Sequence, residues 1–203
     1  MSERIPLFPL HTVLLPNTDL GVHVFEPRFR DLVADCLDDS DEFGIALARP
    51  RVNGSTQETP HVIGTSARIA GYARLPDGRY LLEVEGSRRF RILDIDYDRA
   101  YPSALVDWMS EEIGNFATAR EAGEEVESMV FLYRALDGDG DLPVRLSIDP
   151  VVRSYQVASL LHIAAGVKQS LLEEHTAADR LEREREILRR EISLLDMARS
   201  GRS

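Results

Sequence analysis

Residues 62–85 read Val-Ile-Gly-Thr-Ser-Ala-Arg-Ile-Ala-Gly-Tyr-Ala-Arg-Leu-Pro-Asp-Gly-Arg-Tyr-Leu-Leu-Glu-Val-Glu, and this stretch decides the fold. Two strand-like runs, Val62 to Leu75 and Arg79 to Glu85, flank Pro76-Asp77-Gly78. Proline presets φ and glycine accepts φ > 0, so the triplet is a tight turn between two strands. Working outward, Phe43 to Ala48, Phe90 to Ile95 and Ala104 to Trp108 are further short apolar runs, and Gly21-Val-His-Val-Phe25 is another. Ile5 to Leu15 alternates apolar residues with Pro6 and Pro9, which predicts an edge or irregular strand. Pro50 to Pro60, with Asn53-Gly54-Ser55, reads as a polar loop. Several short strands with turn signals between them predict a small barrel, not a parallel α/β sheet.

One helix interrupts these strands. Glu26-Pro27 opens it, because the N–H that proline lacks has no partner at the first helical position. Phe29, Leu32, Val33, Cys36 and Leu37 fall on one face. Asp38, Asp39 and Asp41 follow, where the helix dipole disfavours acid, so the predicted end is near Leu37.

Past residues 110–115 the period changes. Ala119, Ala122, Val126, Met129, Val130, Tyr133 and Leu136 mark a long helix that Asp137-Gly138 ends. Asp149-Pro150 is an N-cap and first-turn pair opening a second helix, with Tyr155, Ala158, Leu161, Ala164 and Val167 on one face. Leu171 and Leu172 are assigned to a short connection. A last helix runs from Thr176 to Met197, with Leu181, Leu188, Ile192 and Leu195 inward. Its charged residues, Glu184 among them, are placed outward.

Composition excludes several classes. The 203 residues are 43 % hydrophobic and 29 % charged, so a mostly disordered chain is not expected. The net charge of −11 argues against broad affinity for phosphate backbones or anionic lipid. No apolar run approaches the roughly 18 residues of a membrane span, and the proline-broken start does not read as a signal peptide. A cytoplasmic location follows as the expectation. A single cysteine, Cys36, forms no internal disulfide and no Cys-x-x-Cys zinc pair.

Chemical motifs are sparse. Lys168 is the one lysine, and its surroundings lack the spaced glycines of a phosphate-binding loop. Asp137, Asp139 and Asp141 match the first three ligands of a calcium loop, but Leu142 and Ile148 stand where glycine and glutamate belong. The five histidines show no metal-ligand spacing, and no G-x-S-x-G is present. Arg88, Arg89 and Arg91 surround Phe90 in a basic cluster. Strand alternation places 89 and 91 on one face and 88 and 90 on the other, which splits the arginines. No enzyme activity, cofactor or metal is therefore expected.

Ile5-Pro-Leu-Phe-Pro-Leu-His-Thr-Val-Leu-Leu-Pro16 and Val24-Phe-Glu-Pro-Arg-Phe29 resemble the opening of the Lon protease N-terminal substrate-binding domain, most closely its small stand-alone bacterial members. Val62 to Ile69, Leu75-Pro-Asp-Gly78, Val84 to Ile92, Leu171-Leu-Glu173 and Arg180-Leu181 resemble later signatures, so the similarity spans nearly the whole chain. Asn17 stands where the family usually has glycine; asparagine tolerates φ > 0, so the turn is expected to persist.

The resemblance implies an α+β fold: a PUA-like β-pseudobarrel with one helix over residues 1–112, then a helical bundle over 113–203. It implies a non-catalytic module that binds unfolded or tagged protein segments, as an adaptor or regulator in protein quality control, with an ATP-dependent protease as a candidate partner. An RNA-binding PUA-like protein is the alternative, and it requires a contiguous arginine surface. For the peptide site the candidate is Phe25, at the strand-to-helix corner; Phe29 beside it falls on the apolar face of the helix.

Overall fold

The Pro76-Asp77-Gly78 turn is formed as the residue types dictate. Gly78 N–H donates to Leu75 O at 2.9 Å, and Gly78 takes a φ of 84°. The computed structural model describes residues 2–39, 42–50, 59–138 and 145–200. They include β1 (Ser2–Leu10), β2 (Asp19–Val24), α1 (Pro27–Asp39), β3 (Glu42–Leu47), β4 (Ile63–Arg74), β5 (Tyr80–Asp96) and β6 (Ser103–Trp108). Helices α2 (Phe116–Asp137), α3 (Pro150–Leu160), α4 (Ala165–Glu173) and α5 (Ala177–Ser200) follow. The chain divides into two compact units, Met1–Ser110 and Glu111–Ser203. The fold is α+β, a strand-rich unit and then helices.

The strand order is β2-β5-β4-β3-β1-β6, and β6 pairs with β5 as well. That second pairing closes β1, β3, β4, β5 and β6 into a ring and leaves β2 outside it. Strand β5 makes this possible. Its first half, Tyr80 to Glu85, pairs with β2, and its second half, Phe90 to Asp96, pairs with β6.

Two strand readings are corrected. The sequence predicts separate strands on either side of Gly86-Ser87, whereas β5 runs straight through. The glycine is a crossing point, not a break. Gly86 N–H donates to Thr18 O at 2.9 Å and Gly86 O accepts from Asn17 N–H at 2.8 Å. A Cβ at residue 86 would lie 2.1 Å from Leu15 O. Asn17 itself takes φ 58°, so the expected turn persists.

Strand β1 is not at an edge, despite Pro6 and Pro9: it lies between β3 and β6. The reason is a change of neighbour partway along. Residues 2–6 pair with β6, and 7–10 pair with β3. Leu7 N–H donates to Pro102 O, toward β6, so alternation turns the nitrogen of Pro9 toward β6 too, beyond the end of that ladder. The nitrogen of Pro6 faces β3, one residue before that ladder begins. Neither proline removes a ladder bond.

Helix α1 packs as its apolar spacing predicts, with Phe29, Leu32, Val33 and Cys36 buried. It runs to Asp39, two residues past the predicted end. Phe8 and Phe29 stack at 4.1 Å between ring centroids. These residues join Val22, Val24, Leu82 and Val84 in the larger core cluster, while Ile5, Leu7, Phe90 and Val106 build a second one.

In the helical unit, Asn115 Oδ1 accepts from Thr118 N–H and Asp149 Oδ1 from Val151 N–H, capping α2 and α3. The face predicted to run unbroken to Val167 is instead two helices. Leu161 turns extended (φ −82°, ψ 127°), and His162 N–H donates to Tyr133 Oη at 3.0 Å, which ends α3; α4 begins at Ala165. That side-chain partner lies 29 residues away, beyond the reach of periodicity.

Glu184 is also corrected. It is fully buried on α5, not outward, and neither carboxylate oxygen has a hydrogen-bond partner among the described residues. Its neighbour in charge is Arg180, equally buried. Arg180 donates to Ser154 Oγ at 2.7 Å, Leu171 O at 3.0 Å and Glu174 O at 3.3 Å, and stacks 3.9 Å over Tyr155. Burial pushes the Glu184 carboxyl well above the ordinary glutamate range, against the opposing pull of Arg180.

Two outcomes are expected. Gly86→Ala forces the residue 14–18 segment off β5 and costs about 1–3 kcal/mol or more, read as a lower denaturant midpoint; an unchanged midpoint contradicts the crossing. For Glu184, the folded state holds its proton more tightly than the unfolded chain. The stability so gained is full below the ordinary pKa near about 4.3 and is lost as pH rises through the raised value. Glu184→Gln mimics the protonated side chain, so its melting temperature should gain progressively on the parent's between pH 4.5 and 8. Parallel curves over that range would show that Glu184 is not held neutral.

Candidate functional site

Where β2, β5 and β4 lie side by side, the outer surface carries a groove of about 570 Å³. The registers build it row by row. Gly21 on β2, Glu83 on β5 and Gly71 on β4 form one row. His23, Leu81 and Ala73 form the next. The two glycines strip side chains from both flanks of Glu83. A Cβ at residue 21 would meet nothing within 4 Å, and one at residue 71 would meet Glu83 Oε2 at 3.5 Å, so the carboxylate leans over Gly71. The trough is thus cut by absent side chains.

Its walls are apolar. Leu81 is 46 % exposed on this outer face; Tyr72, 57 % exposed, is in register with Leu82 and so lies on the other face of β4, while Phe25, 61 % exposed, follows the end of β2. His23 and Phe25 lie 5.9 Å apart between ring centroids. The strand-to-helix corner therefore exposes Phe25 while Phe29, four residues on, is 2 % exposed in the core. Phe25, the residue singled out in the sequence, does not itself line the groove; it is set against His23, which does. Leu81 and Glu83 carry no signal in the sequence, because exposure on the outer face emerges only from the pairing register.

The charge is lopsided. The guanidinium of Arg79 near His23 is held by the Asp77 carboxylate at 2.7 Å, and its backbone N–H and side chain hold that carboxyl below its ordinary value. Glu85 pairs with Arg68. Glu83 and Asp19 have no ion pair among the described residues, so the net field over the groove is negative.

Other candidate chemistry is absorbed into structure. The register runs evenly through Thr65–Arg89, Gly64–Phe90 and Ile63–Arg91, so Arg89 and Arg91 share a face as expected, but Arg89 is fully buried while Arg91 is exposed. Arg88 stacks 3.9 Å over Trp108. The three guanidinium groups do not form one surface. Lys168 donates to Ser159 O at 3.2 Å, and burial lowers its ammonium pKa. Cys36 is buried beside Glu42 O. Asp137 lies 2.6 Å from His162 Nδ1, while residues 139–144, which hold the rest of the acidic run set aside as a calcium loop, lie outside the described residues. Among the described residues no cluster of three His, Cys, Asp or Glu could hold a metal, and no helix is long and apolar enough to cross a membrane. A second pocket in the helical unit, about 230 Å³ beside Phe116 and Ile148, is ringed by Arg120, Glu124, Glu127 and Arg153.

Comparison with known proteins agrees with this architecture. The family model of the ATP-dependent protease La (LON) substrate-binding domain matches residues 4–190, and the chain belongs to that family. The crystal structure of a Lon N-terminal domain protein from Xanthomonas campestris is 31 % identical, with a TM-score of 0.65 over 89 % of this chain and 95 % of that one. The N-terminal domain of Mycobacterium avium complex Lon protease shares the fold, with a TM-score of 0.67 at 17 % identity over 94 % of this chain and 98 % of that one. Lon protease 1 of Thermus thermophilus is 28 % identical over 96 % of this chain and 25 % of its own length. Lon protease 2 of Desulfotalea psychrophila is 24 % identical over 98 % of this chain and 26 % of its own. The chain thus spans about a quarter of the length of the curated relatives it matches.

Proposed function

We propose that this member of the Lon substrate-binding domain family is a non-catalytic protein-binding module that captures unfolded or tagged protein segments through the groove beside Phe25. The observation that carries the reading is the apolar trough itself. Leu81 stays exposed within the trough, Gly21 and Gly71 leave its floor open, and the exposed Phe25 stands beside His23 at one end of it. Binding requires neither metal nor nucleotide. We further propose that the module acts in the cytoplasm as an adaptor or regulator in protein quality control, presenting clients to an ATP-dependent protease. The RNA-binding reading needs a contiguous arginine surface; burial of Arg89 and stacking of Arg88 work against it.

Phe25→Ala tests the site. The side chain is exposed, so the melting curve should not move. Affinity for a permanently unfolded probe such as casein should fall about five- to thirtyfold, the equivalent of roughly 1–2 kcal/mol for an aromatic anchor. Undiminished affinity removes Phe25 from the site, and no affinity of the parent for casein defeats the reading.

A further inference from the structure

The outer edge of β2 has no strand partner among the described residues, since β2 ends the strand order and pairs with β5 alone. Thr18 O accepts from Gly86 on β5, so alternation directs the backbone groups of Asp19, Gly21 and His23 away from β5, to the open side. Proteins usually guard such an edge with lysine, proline or a bulge. Residues 19–24 read Asp-Leu-Gly-Val-His-Val, and the β2–β5 register runs without a shift. The edge is regular, and the side chains that share its outer face are Asp19, none at Gly21, and His23.

We propose that the client segment is captured as an added strand on the open edge of β2, and that a lysine or arginine in it reaches across Gly21 to the Glu83 carboxylate. This rests on the client-binding reading above and names the chemistry of the client: an extended segment with one basic residue flanked, at alternate positions, by apolar ones. Strand spacing sets the reach. An added strand would lie about 10 Å from β5, two spacings away, with Gly21 between them. A basic side chain and the Glu83 side chain together span that gap only if the carboxylate swings from the Gly71 side, where it lies in this structure, to the Gly21 side, and residue 21 presents no side chain to block that swing. Glu83 has no other ion pair among the described residues. Two positions along, the segment's next side chain on this face lies beside His23 and toward Phe25, which suits an apolar or aromatic residue. Backbone bonds would supply affinity that is indifferent to sequence, and the single carboxylate would supply the selection. The negative field of Glu83 and Asp19 fits a basic partner and disfavours an acidic one.

The test uses the full chain and three fluorescent nonapeptides of alternating valine and serine with a central arginine, a central glutamine, or the central arginine plus N-methylated alternate amides. Anisotropy should show about tenfold tighter binding of the arginine peptide than of the glutamine one, and loss of binding on N-methylation. Glu83→Gln should make the first two peptides equal. Gly21→Val should weaken the arginine peptide at least tenfold with an unchanged melting curve, because a Cβ there meets nothing within 4 Å. Should that variant misfold, the methylated peptide on the parent protein decides the edge by itself. Retained binding of the methylated peptide, or equal affinity of the parent for arginine and glutamine peptides, overturns the proposal. If casein binding persists in either case, the client-binding reading stands and only the edge is wrong; if casein binding is absent, that reading falls first.

Discussion

The strand-rich unit depends on one constraint: β5 changes partner at Gly86. One side of β5 is occupied by β4 from Tyr80 to Arg91, and the other is divided between β2 and β6. The division requires the segment before β2 to pass over β5 at close range, and only glycine leaves room for Leu15 O. Closure of the ring by β6 and the exclusion of β2 from it are therefore the same event. A strand excluded from a ring keeps an open edge, so the architecture that completes the core also leaves unsatisfied backbone groups at the surface.

A good part of this was legible in the sequence, where the cause was local. Pro76-Asp77-Gly78, the apolar face of α1, the Asp149-Pro150 cap and the φ > 0 tolerance of Asn17 each act within a few residues. The failures share a different origin. Pro6 and Pro9 argue for an edge only if a strand keeps one pair of neighbours throughout, and β1 does not. Gly86 reads as a break because its partner, Leu15, is 71 residues away. The division between α3 and α4 depends on Tyr133, and the inward turn of Glu184 on the helices around it. The groove was the least visible element, because Gly21, Gly71 and Glu83 become a row only once two registers are known.

The helical unit is organised around Arg180 as the sheet is around Gly86. One guanidinium binds the Ser154 hydroxyl on α3 and backbone oxygens at the end of α4, and its ring contact with Tyr155 returns to α3. Glu111 joins from the start of the unit, accepting from Tyr155 Oη at 2.8 Å. A buried charge that loses such partners is costly, so these bonds fix one arrangement of short helices that apolar packing alone would leave interchangeable. Glu184 nearby lacks hydrogen bonds to its carboxylate, and the neutral form is the one such an environment favours. The two buried groups thus play unequal parts, one a cation fully engaged, the other an acid whose pKa burial pushes up against the pull of that cation.

A recognition surface for unfolded segments faces a conflict between breadth and discrimination. Aromatic pockets that fit one side chain closely bind few clients, and flat apolar patches bind nearly everything, including copies of themselves. The groove on β2, β5 and β4 avoids both extremes through what it lacks. On the proposed reading, Gly21 and Gly71 offer no shape to match, so many side chains would pass, while Glu83 between them would favour one kind of charge. Self-association is discouraged by the same means. A second copy brought edge to edge at β2 would set Asp19 and Glu83 of each chain near those of the other, and the net charge of −11 would add its repulsion at distance. On the proposed reading, the acidity that composition alone set against nucleic acid has a second consequence: it would oppose edge-to-edge pairing of two copies while leaving the edge open to basic, extended chains.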